Sequence, residues 1–214
     1  MKNYKALSIV LAIALVMVCT IGGTLAWLTA KTGTVTNTFT SAELFANPSE
    51  QFTLWENIAA DEDEDGIYTL TSEKGFANTY DVLPGVNIPK NPTVDVVNLE
   101  EYAYLYIKVT GVPMTTGLTA TIDPANWTAL GASYPGVYVY SGANAVNNII
   151  KATDAAKKTF TATILEDNQI VVASNYAGTS DDMKLEFTAY MVQATGNGDS
   201  AAAAWDNTYG AQNN

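Results

Sequence analysis

The sequence predicts an all-β protein, a jelly-roll sandwich with minor helical connections, behind an N-terminal signal helix. Three observations carry this. Threonine occurs 27 times in 214 residues, and with valine and tyrosine it favours pleated, half-buried surfaces. Two stretches alternate between apolar and polar or aromatic positions with period two. Pairs such as Pro84-Gly85, Pro135-Gly136, Ser141-Gly142 and Asp167-Asn168 divide the chain into short segments, the punctuation of strands and turns.

The first element is a targeting segment. Lys2 and Lys5 precede residues 6–30, which hold no charged side chain, and Gly22-Gly23 interrupts the apolar run. A positive start, an apolar stretch and a small residue before a scissile bond describe a secretory signal peptide. Cleavage is expected between Ala26 and Trp27. Left uncleaved, about 20 apolar residues also suffice to span a bilayer, the one membrane contact the sequence offers. Val18 stands before Cys19 where a lipoprotein would carry a small residue. The expected organisation is residues 1–26 as signal peptide, 27–41 as a separate N-terminal strand, 42–208 as the domain and 209–214 as a polar, frayed tail.

Residues 32–40 read T-G-T-V-T-N-T-F-T. Threonine fills every even position, while Val35 and Phe39 supply apolar anchors on the other face. This is a first strand of the domain, or one that leaves it and pairs with a neighbour.

The clearest strand within the domain covers residues 102–109. Ala103, Leu105, Ile107 and Val109 point one way, and Tyr102, Tyr104, Tyr106 and Lys108 the other. A second long strand covers 183–193, with Met183, Leu185, Phe187, Ala189 and Met191 on its apolar face. Shorter strands are expected at 42–46, 52–56, 67–71, 93–98, 118–122, 136–140, 159–165 and 170–174. Residues 144–158 read as a short helix or an alanine-rich connection. Asp199 or Ser200 can cap a helical turn over 201–205.

Charge and composition exclude most chemistry. All ten basic residues are lysine, there is no histidine, and the net charge is −12. No nucleic-acid partner is expected, because no basic patch or arginine fork exists. Imidazole chemistry is absent. After cleavage no cysteine remains, and eight lysines face 22 acidic residues, a net of −14. Zinc is ordinarily held by histidine or cysteine, so no catalytic residue can be named and no enzyme activity is expected.

One acidic run could hold a cation. Asp61, Asp63, Asp65 and Gly66 fit the first half of a calcium loop. Its twelfth position should be glutamate, but Ser72 stands there and Glu73 misses by one. The run reads as a solvated hairpin loop or a calcium site; no other cofactor is expected. The face carrying Tyr102, Tyr104 and Tyr106, with Tyr138 and Tyr140 on another strand, reads as cross-strand packing, a subunit contact or a sugar platform.

Three blocks carry a family resemblance. Gly22-Gly23-Thr24-Leu25-Ala26-Trp27-Leu28-Thr29 with Asn37-Thr38-Phe39-Thr40 resembles the N-terminus of the TasA/camelysin family. Leu83-Pro84-Gly85-Val86-Asn87-Ile88-Pro89-Lys90 before the strand 103–109 resembles the family's turn into a core strand. Residues 186–194 followed by 200–205 resemble the close of clostridial members. The resemblance implies an exported Gram-positive protein processed by a SipW-type signal peptidase. It also implies a jelly-roll domain and, for fibre-forming members, donor-strand assembly into biofilm-matrix filaments. The camelysin branch is described as zinc peptidases, but no motif here carries that activity over. The expected function is therefore a secreted or cell-surface structural subunit that polymerises with itself. A monomeric adhesin or carbohydrate-binding module is the alternative.

Small residues fit the peptidase pocket before the scissile bond, so Ala26→Leu is expected to leave precursor in the membrane fraction. N-terminal sequencing of the exported chain should begin at Trp27; a start at Met1 would leave no free strand end.

Overall fold

A computed structural model of the chain describes residues 29–31, 38–39, 44–111, 117–177 and 184–210, the first two stretches as backbone. The signal segment with Ala26 and Trp27, and the anchor Val35, lie outside the described residues.

The strands in chain order are β1 (Thr29–Lys31), β2 (Thr38–Phe39), β3 (Phe52–Ala60), β4 (Thr69–Gly75), β5 (Ile88–Pro89), β6 (Thr93–Val96), β7 (Ala103–Gly111) and β8 (Leu118–Thr119). They continue as β9 (Trp127–Ala129), β10 (Val137–Tyr140), β11 (Ala145–Val146), β12 (Ile149–Ile150), β13 (Phe160–Thr163), β14 (Gln169–Val172) and β15 (Leu185–Gln193). Two short helices, α1 (Pro48–Gln51) and α2 (Ala201–Asp206), complete the described set with one 3-10 turn at Glu166–Asn168. The protein is all-β, and its strand pairings are antiparallel.

The largest sheet runs β11-β12-β7-β15-β1-β2, with β10 also on β7 and β9 on β10. A second runs β13-β6-β3-β4, and a third β5-β14-β8. The apolar positions read on β7 and β15 face inward together. Leu105, Ile107, Phe187 and Met191 meet Phe52, Val94, Val96 and Ala162 of the second sheet and Ile88, Ile170 and Leu118 of the third in one core. Each such fully buried side chain contributes about 1.5–3 kcal/mol relative to exposure.

The other face of β7 is buried too. Tyr104 and Tyr106 join Tyr190, Val192, Val137 and Val139 in a second apolar cluster, closed by Ala204, Trp205 and Tyr209. Ser200 caps α2 by accepting from the Ala203 amide at 3.2 Å. The Trp205 ring lies 5.1 Å from Tyr106 and 5.2 Å from Tyr190, and the Tyr106 hydroxyl donates to the Ala201 carbonyl at 2.8 Å. Burial pushes the Tyr106 hydroxyl, and that of Tyr80 in the larger core, well above the ordinary value. Their contribution to stability is complete below pH about 10 and declines above it, because the unfolded tyrosine ionises first.

Several expectations are corrected. Residues 144–158 form no helix. Asn147 and Asn148 both take positive φ, 53° and 65°, and make the two-residue turn that pairs Val146 with Ile149; asparagine tolerates this conformation. The strand expected at 42–46 is absent over 44–46, where Leu44 and Phe45 are buried in a bend and Phe45 stacks on Phe52 at 5.8 Å. The strand expected from 67 starts at Thr69 and runs to Gly75, since residues 61–68 are spent on the hairpin turn. The strand expected over 118–122 shortens to Leu118–Thr119, with Ile122 only bridging Leu165. The tail does not fray from residue 209: Tyr209 is buried, its ring 4.5 Å from Tyr190.

The long loop 76–92 is fastened by an ion pair. Lys90 Nζ meets Glu56 Oε2 at 2.7 Å with both side chains nearly enclosed, and the Tyr80 hydroxyl donates to the Pro89 carbonyl at 2.8 Å. Pro84 and Gly85, at φ 80°, turn the chain between them, with the Val86 amide donating to the Leu83 carbonyl at 3.1 Å.

Trp205→Ala is expected to cost about 3–5 kcal/mol, the range for truncating a buried aromatic. Ser200→Ala removes only the cap, about 1 kcal/mol. Urea unfolding checks both, and equal losses would mean that α2 does not seal the outer face through Trp205.

Candidate functional site

The long strand β15 has two unequal edges. On one side all nine residues pair with β7, from Leu185↔Gly111 to Gln193↔Ala103. On the other, β1 pairs only at Thr29↔Val192, Ala30↔Met191 and Lys31↔Tyr190. Among the described residues, no strand runs beside 185–188 on that edge. An edge of this kind presents backbone donors and acceptors to any extended segment that reaches it.

An apolar cleft lies under the same stretch on its other side, toward β7 and β10. It measures about 230 Å³ and is lined by Val109, Gly111, Ala120, Ile122, Tyr138, Leu165, Leu185 and Phe187. Leu185 and Phe187 reach it because the inward face of β15 alternates with period two. Ladder bonds along the open edge suit an added strand.

Of the threonine-rich segment only Thr38–Phe39 is described. Thr29–Lys31, ahead of the threonine alternation, pairs with β15. Thr38–Phe39 then returns antiparallel on β1, Phe39 opposite Ala30. Residues 32–37, with Val35, lie outside the described residues, so only the backbone register of Phe39 is placed.

The acidic run is the turn of the β3–β4 hairpin, entered from Ala60 and left at Thr69, which pair. Asp61 organises it, accepting from the amides of Asp65 at 3.1 Å and Gly66 at 2.9 Å. The Asp65 carboxylate accepts from the Ile67 amide at 2.8 Å. Gly66 takes φ 81°, and a Cβ there would meet Leu83 Cδ1 at 2.6 Å, so the loop needs glycine at this point. One carboxylate oxygen from each of Asp61, Asp63 and Asp65 lies within 4.8 Å of the others. The donor set is all oxygen, which suits a hard cation such as calcium. Ser72, at the twelfth position, is part of β4 and cannot close such a site.

The tyrosine face divides. Tyr104 and Tyr106 are buried with ring centroids 6.2 Å apart, while Tyr102 stays exposed and bonds Thr153 at 3.0 Å. Tyr138 and Tyr140 belong to the opposite face, because Tyr138 pairs beside Ile107. No continuous tyrosine platform therefore reaches solvent on this sheet.

Sequence reasoning overlooked two groups. Trp205 and Tyr209 cover the outer face, and a tryptophan and tyrosine four apart near a capped turn was the available signal. Trp55, Lys74, Asp95 and Thr161 come together across four strands, and no local pattern joins residues so distant in sequence. No family profile, no curated protein and no solved structure matches the chain.

An ion held only by the folded loop adds about 1.4 kcal/mol at ten times its Kd, which raises Tm by about 3–6 °C in a domain of this size. Calcium is expected to raise Tm within that range, and Asp61→Asn, Asp63→Asn and Asp65→Asn together to abolish the rise. A wild-type Tm that is equal in calcium and in chelator would leave the run a solvated turn.

Proposed function

We propose that the chain is a secreted structural subunit that polymerises into an extracellular, biofilm-matrix fibre through its N-terminal strand. One observation carries the reading: β15 pairs along its full length on one side and, among the described residues, through three residues on the other. The segment that makes this short pairing leads into the threonine-alternating stretch. Donated to a neighbour, residues 32–40 would extend the ladder along 185–188 of that neighbour. Val35 and Phe39 are the apolar anchors of the donated strand. In this reading the sandwich is a jelly roll, the chain is exported by a SipW-type signal peptidase, and its main partner is another copy of itself. It has no catalytic role and needs no cofactor; calcium on the acidic hairpin would only stiffen the subunit.

The resemblance to the TasA/camelysin family supports this reading, as does the supply of threonine, whose branched Cβ keeps a donated strand extended. A net charge of −14 on the cleaved chain keeps subunits soluble before assembly. The adhesin alternative loses its tyrosine platform, since Tyr104 and Tyr106 are covered.

Electron microscopy of purified protein beginning at Trp27 is expected to show filaments. Deleting residues 27–40, or changing Val35 and Phe39 to aspartate, should abolish them and leave a soluble β-rich monomer by circular dichroism and size exclusion. Each anchor contributes about 1.5–3 kcal/mol at every joint. An unfolded deletion product would make the segment an intramolecular strand, and normal filaments from it would remove the strand from assembly altogether.

A further inference from the structure

We propose that Trp55 and Asp95, on the outer face of the β13-β6-β3-β4 sheet, form a recognition site for an amine-bearing saccharide, with Lys74 as its intramolecular stand-in. The site is built across the sheet. Trp55 on β3 donates its indole N–H to Asp95 Oδ2 on β6 at 2.7 Å. Thr161 on β13 donates to Asp95 Oδ1 at 2.8 Å. Lys74 on β4 brings its ammonium to within 3.2 Å of Asp95 Oδ2 and 3.6 Å of the Trp55 ring centroid. Ring and carboxylate therefore hold one ammonium between them, combining a cation–π contact with a charge-assisted hydrogen bond.

Lys74 is a weakly held occupant. Its side chain is 55% exposed on the edge strand of the sheet, and a pair of that exposure is readily opened by solvent. Asp95 and Trp55 are fixed independently of it, by the indole bond and by Thr161. The recess would thus keep its shape when the lysine swings away.

The surroundings select the ligand. Register places Thr53 opposite Asp95 and Thr93 opposite Trp55, with Thr163 beyond Thr93; alternation puts Asn57 on the same face. Thr93 is buried and bonded to the Asn91 carbonyl, so beside Trp55, Asp95 and Lys74 the face presents the half-buried Thr53 and Thr163 hydroxyls, which hydrogen-bond sugar hydroxyls but offer little to an apolar partner. A pyranose ring stacks on an indole, and a net charge of −12 favours cationic over anionic polymers. A glucosamine-type oligomer bearing free amines meets all three conditions, and its N-acetylated counterpart lacks the ammonium.

The test uses the full mature chain and two probes, a fully deacetylated glucosamine hexamer and the same hexamer N-acetylated, in calorimetric titrations. The deacetylated hexamer is expected to bind and the acetylated one to bind at least tenfold more weakly. Trp55→Ala and Asp95→Asn should each weaken binding at least tenfold. Trp55→Phe, which keeps a ring and is the milder change, should weaken it less than Trp55→Ala. Lys74→Ala should tighten binding about threefold by removing the internal competitor, a gain larger than Lys151→Ala, which removes an exposed lysine elsewhere, should give. Glu100→Gln, Glu101→Gln and Glu166→Gln together remove three exposed charges elsewhere and should change nothing. A loss in that control equal to the Asp95 loss would overturn the proposal in favour of diffuse charge attraction. Equal binding of oligolysine would overturn it in favour of a peptide ligand, and no binding by the hexamer, or no gain on Lys74→Ala, would end it. The readout is saccharide binding at the β13-β6-β3-β4 sheet, whatever the assembly state, so its failure would leave the fibre reading standing.

Discussion

The fold depends on burying both faces of β7. Its inner residues, Ala103, Leu105 and Ile107, are fully enclosed in the main core. Its outer residues, Tyr104 and Tyr106, are enclosed by the C-terminal segment. A strand hidden on both sides cannot shift register by one residue, since that would exchange aliphatic and aromatic sets between two differently shaped spaces. Every other part of the large sheet takes its position from this strand: β15 along one edge, β10 and β12 along the other. Once Tyr106 and Tyr190 are in place, Trp205 has a fixed seat, and the short helix that carries it follows.

The same arrangement leaves one side of β15 for other uses. A central strand would be saturated on both edges, but among the described residues the partner on this side is three residues long. The apolar cleft lies on the strand's other side, where β7, β10 and β15 meet the loops around Ile122 and Leu165. Among the described residues no strand lies beside 185–188 on this edge, and an open edge offers backbone donors and acceptors to another chain. In the proposed function an assembling subunit uses that edge.

Polar groups hold the periphery. The Glu56–Lys90 pair is enclosed, so each charge depends on the other, and removal of one would leave the other without compensation. The Lys74–Asp95 pair is open to water and contributes little to stability. The two pairs look alike as contacts but differ in burial, which makes the first a fastening of the 76–92 loop and the second exchangeable.

Local sequence was enough for much of the β architecture. Period two on 102–109 and 183–193 identified the two long strands, found at Ala103–Gly111 and Leu185–Gln193, and their inward faces, because alternation is a property of the backbone itself. The turns at Pro84-Gly85 and Pro135-Gly136, the Ser200 cap and the acidic hairpin turn were legible for the same reason: each is decided by residues close to one another in sequence. What the sequence could not settle was set by contacts at long range. Alanines around 145 suggested helix, but Asn147 and Asn148 at positive φ made a hairpin whose second strand could pair with Ala103. The tyrosine face looked exposed until Trp205 and Tyr209, about 100 residues later, covered it. Trp55, Lys74, Asp95 and Thr161 became neighbours only through strand order. By itself, then, the sequence determined that this chain is β-rich, acidic, and without histidine or arginine. Which of its faces meet solvent was decided by tertiary structure, because burial depends on what packs opposite a residue and no local pattern carries that information.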